Sequence, residues 1–326
     1  MDEMSILKLF PKEMQSYFVI AARKSQTLQE IRIRVGQPVR ILRSGAEYVL
    51  DNSGTEWLCR PGCAVQKSGK TRVSDYDALC LDSRQLENLF VHMCRYSPYA
   101  FGEELRQGFL TVAGGHRIGV AGQVVAEGNS VRTIRNIRFL NIRISHEIKG
   151  CADTLVPLLY EEQTSRIYNV LIVSPPGMGK TTILRDIVRQ ISNGGSGKKG
   201  NTVAVIDERS EIAGCFLGEP QNDVGVRTDV LDACPKALGM EMMLRSMSPD
   251  VMAVDEIATA EDVTTLLRMM NCGVRVIATV HGESFAEMRA KPYLKPLLEA
   301  DYFGRFLLLA KGYQKMLYDR KGERLL

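Results

Sequence analysis

No stretch of this 326-residue chain approaches the roughly 18 consecutive apolar residues that a membrane-spanning helix needs. Its first residues, MDEMSILKLFPKEM, lack the basic-then-apolar order of an export leader. These two absences set the expectation of a cytoplasmic protein. Cysteine occurs eight times but without metal-site spacing: Cys59 and Cys63 form a close pair, and no second pair follows. Reduced thiols are therefore expected, not a zinc site or a disulfide framework. Strong overall charge is missing too. The net charge is +4, and the basic excess lies in residues 1–150, with 21 Lys/Arg against 15 Asp/Glu, while the remainder has 21 against 23. With 45% hydrophobic and 25% charged residues, the composition is that of an ordinary globular protein of about two domains.

The most informative stretch is YNVLIVSPPGMGKTTIL, Tyr168 to Leu184. Its apolar run from Val170 to Val173 is too short for a core helix and predicts a buried parallel strand. The run breaks at Ser174-Pro175-Pro176-Gly177-Met178-Gly179, and helix-favouring residues resume at Lys180. Strand, glycine-containing loop, Gly-Lys-Thr and helix is the order that a phosphate-binding P-loop needs. Gly177 and Gly179 let backbone amides curl around a triphosphate, and the helix start at Lys180, Thr181 and Thr182 adds its positive end. Lys180 can reach the β- and γ-phosphates, and the Thr181 hydroxyl can ligate Mg²⁺. The first glycine of the GxxxxGK[ST] pattern is replaced by Ser174, a small residue in a slot that wants one. A GTPase reading fails for want of an NKxD segment, and nothing resembles the acceptor pocket of a small-molecule kinase.

Two later strands share one design. Val203-Ala-Val-Ile-Asp207-Glu208 and Val251-Met-Ala-Val-Asp255-Glu256 each run four apolar residues into two carboxylates. In a doubly wound sheet both ends lie along the C-terminal edge, where a P-loop opens. Of a carboxylate pair beside a Mg²⁺-triphosphate, one member holds the metal through water and the other orients or deprotonates the attacking water. Either strand can fill that role. A fourth strand, from Val274 to Gly282, carries Thr279 and His281 at period 2, where a polar side chain can contact a γ-phosphate. The intervening Met240, Met242, Met243 and Met247 are expected in a helix core.

The N-terminal half reads as α+β. A helix is expected over residues 5–25, broken or restarted at Pro11. Ile31, Ile33 and Val35 alternate with Arg32 and Arg34, as in a half-buried strand. Residues 51–75 are polar and read as an irregular excursion. From Asp82 to Tyr96 a second helix is expected, capped by Ser83, and Gly114-Gly115 marks a hairpin. The segment from Ser130 to Ile144 carries Arg132, Arg135, Arg138 and Arg143. These form a solvated basic face, or a nucleic-acid patch, or they reach the triphosphate of a neighbouring subunit. Phe139 alone interleaves them, which weakens a single-strand stacking surface. The expected division is an N-terminal domain over 1–150, a linker over 151–167 and the nucleotide-binding domain over 168–326.

SPPGMGKT, VAVIDERSEI, LRSMSPDVMAVDEI and VIATVHG occur in that order. They resemble the Walker A, Asp-box, Walker B and His-box segments of the type II/type IV secretion ATPase superfamily. EIRIRVGQPVRIL, GGHRIGVAGQ and LNIRISHEIKG are similar to its sporulation branch. The resemblance implies a RecA-like P-loop core with a mostly parallel twisted sheet, preceded by a smaller α+β domain. It assigns Asp207–Glu208 to the Asp box and Asp255–Glu256 to the Walker B strand. It further implies that Lys180 and Thr181 meet ATP and Mg²⁺; Asp255 is expected toward the metal from the carboxylate pair itself, not from the resemblance. Glu256 becomes the general-base candidate, and Glu208 and His281 complete the site. The family usually has Gly where this chain has Asp255. The resemblance also implies a homo-hexameric ring in which arginines such as Arg135 and Arg143 complete the adjacent site. Its partners would be membrane-embedded secretion or channel proteins, with the ring peripheral to that complex and no nucleic acid involved. The function so implied is to power export or channel assembly between mother cell and forespore. A nucleic-acid-dependent RecA-like ATPase is the alternative.

Overall fold

The computed structural model describes residues 3–59, 77–128, 130–195 and 197–326. Most of the 51–75 excursion therefore lies outside the described residues. The chain forms two compact units, Met1–His146 and Glu147–Leu326.

In the first unit, Pro11 separates α1 (Glu3–Leu7) from α2 (Lys12–Arg23) by standing immediately before the second helix, where its missing N–H costs nothing. The strands β1 (Leu28–Arg34), β2 (Arg40–Arg43), β3 (Ala46–Leu50) and β4 (Glu56–Leu58) follow. After them come α3 (Ser83–Met93), α4 (Gly102–Arg106), β5 (Phe109–Val112), β6 (His116–Glu127) and β7 (Ser130–Arg143). They make an antiparallel sheet in the order β4-β3-β2-β1-β7-β6-β5. In β1, Ile31 and Ile33 are buried while Arg32 is exposed, as their alternation requires. The cap of α3 is Asp82, not Ser83. Its carboxylate accepts the Gln85 N–H at 2.8 Å, and the Gln85 side chain accepts the Asp82 N–H at 2.9 Å. This reciprocal box satisfies two amides at once, which a cap one residue later does not achieve.

In the second unit, β8 (Asn169–Ser174), α5 (Lys180–Asn193), β9 (Val203–Asp207), β10 (Thr228–Asp232), α6 (Lys236–Met247) and β11 (Val251–Glu256) come first. Next are α7 (Ala260–Asn271), β12 (Arg275–His281), α8 (Phe285–Arg289) and α9 (Lys295–Glu299). The chain ends in the hairpin β13 (Phe303–Ala310) and β14 (Gln314–Asp319). The sheet order is β10-β9-β11-β12-β8-β13-β14, parallel except for β14. Both faces are covered. Val170 and Ile172 pack against α5 through Ile183, Ile187 and Ile191. Leu171 and Val173 join the opposite core with Met240, Leu266 and Met269. Burial on both sides explains why β8 reads as an unbroken apolar run.

Residues 151–167 also belong to this core: Ala152, Leu155, Leu159, Tyr160 and Ile167 are buried within it. Of the four methionines expected inside, Met240 and Met243 are buried, three positions apart on one helical face, whereas Met242 and Met247 are exposed. Gly239 marks the closest approach of α6 to the sheet, since a methyl there would lie 2.9 Å from Ile206 Cγ2.

Candidate nucleotide site

Parallel pairing brings the ends of β9, β11, β12 and β8 side by side at one edge of the sheet. Ser174 ends β8 opposite His281 of β12, and its carbonyl accepts the Gly282 N–H at 3.2 Å. The serine side chain is wholly buried, so a small residue is what the slot requires. From here Pro175, Pro176, Gly177 and Met178 carry the chain to Gly179, which precedes α5 with φ +82°. Gly177 has φ +75°. Both values are left-handed, where a side chain is disfavoured. Among the described residues no side chain caps α5. The first amides of a fourteen-residue helix, at Lys180, Thr181 and Thr182, are thus left for an external acceptor, and its dipole favours an anion.

Glu256 is the centre of the arrangement. Its Oε2 lies 2.8 Å from His281 Nε2 and 3.4 Å from Lys180 Nζ. A carboxylate only accepts, so His281 Nε2 donates to it and Nδ1 is left over. His281 Nδ1 and Thr279 Oγ1 are buried and have no partner among the described residues. The carboxylate is aimed by a bulge. Val254 pairs with Ala278 and Glu256 with Thr279, so Asp255 is one residue too many on β11. The extra residue breaks the strand's alternation and leaves adjacent carboxylates in different settings. Asp255 is buried and Glu256 partly open.

Burial pushes the Asp255 carboxyl up to about 6, with the negative charges of Glu211 and Asp207 adding to the effect and Lys180 and Lys236 opposing it. That is the environment a divalent cation relieves. Among the described residues no group of three or more His, Cys, Asp or Glu is arranged to hold a metal unaided. Mg²⁺ carried on phosphates and water asks only one or two oxygens of the protein, and the buried Asp255 carboxylate is of the kind that could supply one.

The other carboxylate pair has different employment. Asp207 accepts the N–H of Glu211, Ile212 and Ala213 at 2.8, 3.0 and 2.8 Å, so it holds the loop after β9. Its carboxyl is nonetheless raised, because burial outweighs those bonds. Arg185 of α5 clamps the same loop by donating to the carbonyls of Ile212 and Glu211. Glu208 is engaged by Lys236, a buried lysine at the start of α6. Two charged residues whose charges act on Asp255, Glu211 and Lys236, carry no expectation from the sequence. Glu211 lies inside the VAVIDERSEI phrase and could have been marked there. Lys236 follows Cys234-Pro235 with no local signal. Arg135 and Arg143 belong to β7 of the first unit. Arg135 lines a groove of about 870 Å³ there with Glu87, Asn136 and Phe139.

Among solved structures, the pilus retraction motor PilT with bound ADP is similar, with a TM-score of 0.56 and 15% identity over 93% of this chain and 81% of that one. The Legionella pneumophila ATPase DotB matches with a TM-score of 0.54 and 14% identity, covering 94% of this chain and 77% of DotB. These likenesses show the fold, a RecA-like α/β core. In sequence, stage III sporulation protein AA of Bacillus subtilis (strain 168) is 39% identical over 322 residues, 97% of this chain and 95% of the relative. The family model for sporulation stage III, protein AA, matches residues 57–325. The chain therefore belongs to the sporulation stage III protein AA family.

Proposed function

We propose that this chain is an ATP-hydrolysing ring motor that powers a secretion or channel apparatus during endospore formation. The observation that carries the reading is Glu256, bound at once to the P-loop lysine and to His281. In it, the α5 amides and Lys180 bind the phosphates of ATP, and Lys180 exchanges Glu256 for phosphate as it does so. Thr181 and Asp255 would hold Mg²⁺, which would neutralise charge on the phosphates when bound. Glu256 is the general base that takes a proton from the attacking water, and the His281 N–H fixes the orientation of its carboxylate. Lys236 restrains Glu208 close by.

The relatives' names supply the setting. The curated relative is a stage III sporulation protein, and the similar folds are an ATPase and a retraction motor. The reading accordingly includes a homo-hexamer in the cytoplasm, peripheral to membrane-embedded channel proteins between mother cell and forespore. Arg135 and Arg143 would complete the neighbouring subunit's site, because arginine stabilises charge on a transferring phosphoryl group. The test is the steady-state ATPase rate per subunit against protein concentration, with size from light scattering and with single-stranded DNA as a second arm. A rate that rises as a hexamer assembles and ignores DNA supports the motor. Stimulation by DNA at low salt would replace it with the nucleic-acid-dependent reading.

A further inference from the structure

The terminal phosphate of a nucleotide on this P-loop has a defined side. Glu256 and His281 belong to β11 and β12, which lie on one flank of β8. The other flank is β13, joined by a tight turn to β14. β13 runs parallel to β8, with Leu308 beside Val173, so the turn after it emerges at the same edge as the P-loop. A triphosphate that points its reacting end at Glu256 must send its ribose and base toward this turn. The turn is Lys311–Tyr313, and it brings Tyr313 alongside the end of the P-loop. A methyl on Gly179 would lie 3.7 Å from Tyr313 Cδ1 and 3.8 Å from Cε1. Only a side chain at position 179 would touch the ring, so the tyrosine flanks the loop's last glycine with room between them, and it is 69% exposed. Its backbone is left-handed, with φ +58° directly after Gly312 at +76°. A tyrosine in that conformation is disfavoured, and such residues gather at ligand clamps.

We propose that Tyr313 is the platform on which the base of the bound nucleotide stacks. The inference rests on the nucleotide-binding reading above and extends it from the phosphates to the nucleoside. A phenol ring offers a π-face to any purine without reading its edge. The platform therefore supplies affinity for the nucleobase and little choice between adenine and guanine.

The experiment compares two probes on the full chain by calorimetry with Mg²⁺: ADP, which has a base, and inorganic tripolyphosphate, which has none. Tyr313→Ala is expected to weaken ADP by about 5- to 150-fold, the range of base–aromatic stacking. Tripolyphosphate affinity should hold, and Tyr313→Phe should restore ADP. An ADP affinity unchanged in Tyr313→Ala, or an equal loss for tripolyphosphate, overturns the platform while leaving the phosphate site in place. If the unaltered chain binds neither probe, the nucleotide-binding reading itself fails.

Discussion

Glu256→Gln is the substitution that probes the proposed chemistry most directly. Glutamine keeps the size and the hydrogen-bonding reach of the side chain, so the contact with His281 survives, but it cannot take a proton at neutral pH. A positioned general base contributes about 10²–10⁴ in rate. That range corresponds to about 3–5 kcal/mol of barrier. The same change has an opposite effect on binding. Lys180 sits 3.4 Å from the Glu256 carboxylate in a pair whose side chains are largely buried. Reaching phosphate means giving up that pair, worth about 1 kcal/mol at this length. Glu256→Gln should thus lower kcat by about 10²–10⁴ and tighten ATP by about fivefold. Phosphate release at saturating ATP and calorimetric affinity measure the two effects separately. Glu208→Gln is the control. Because Lys236 already holds Glu208, that variant should lose less than about tenfold in kcat. Near-normal turnover in Glu256→Gln with collapse in Glu208→Gln would refute the assignment and move the base to the other pair.

Other expectations follow from packing and titration. Gly239→Val should cost about 1–3 kcal/mol in urea unfolding, because the new side chain meets Ile206 and Leu231 in a closed core; an unchanged midpoint would show that α6 can shift outward. His116 is fully buried, its Nδ1 accepts the Ser145 N–H, and burial lowers its pKa from 6.5 to about 4. A depressed histidine contributes stability that is present above pH 6.5 and lost as pH falls toward 4, amounting to about 3 kcal/mol. A proton NMR titration in which His116 stays neutral at pH 5 supports this, whereas a midpoint near 6.5 contradicts it. Mixing Lys180→Ala subunits with Arg135→Ala or Arg143→Ala subunits should recover part of the lost ATPase rate if the arginines act on a neighbour; no recovery with either removes them from the site.

What the sequence decided by itself is local. The loop between β8 and α5 was legible because strand, glycines, Gly-Lys-Thr and helix are consecutive, so neighbouring residues settle its conformation. The doubly buried strands were legible for a similar reason: burial on two faces leaves an unbroken apolar run, as in Val251–Val254. Pairing between distant segments was legible only coarsely, as carboxylate strand ends sharing an edge with the glycine loop; the individual contacts were not. The order β9-β11-β12-β8 brings Glu256 to Lys180 across 76 residues, and nothing near either residue encodes that neighbour. The bulge that separates Asp255 from Glu256 exists only in the register of β11 against β12. Asp207–Glu208 and Asp255–Glu256 look alike in sequence. Folding commits Asp207 to three backbone amides and Glu208 to Lys236, while it leaves Glu256 with the P-loop lysine. The β13–β14 turn gave no signal of its own, because Tyr313 gains meaning only from the strand beside which its hairpin packs. Local backbone preference writes motifs into sequence, whereas sheet order and register are set by burial summed over the whole core.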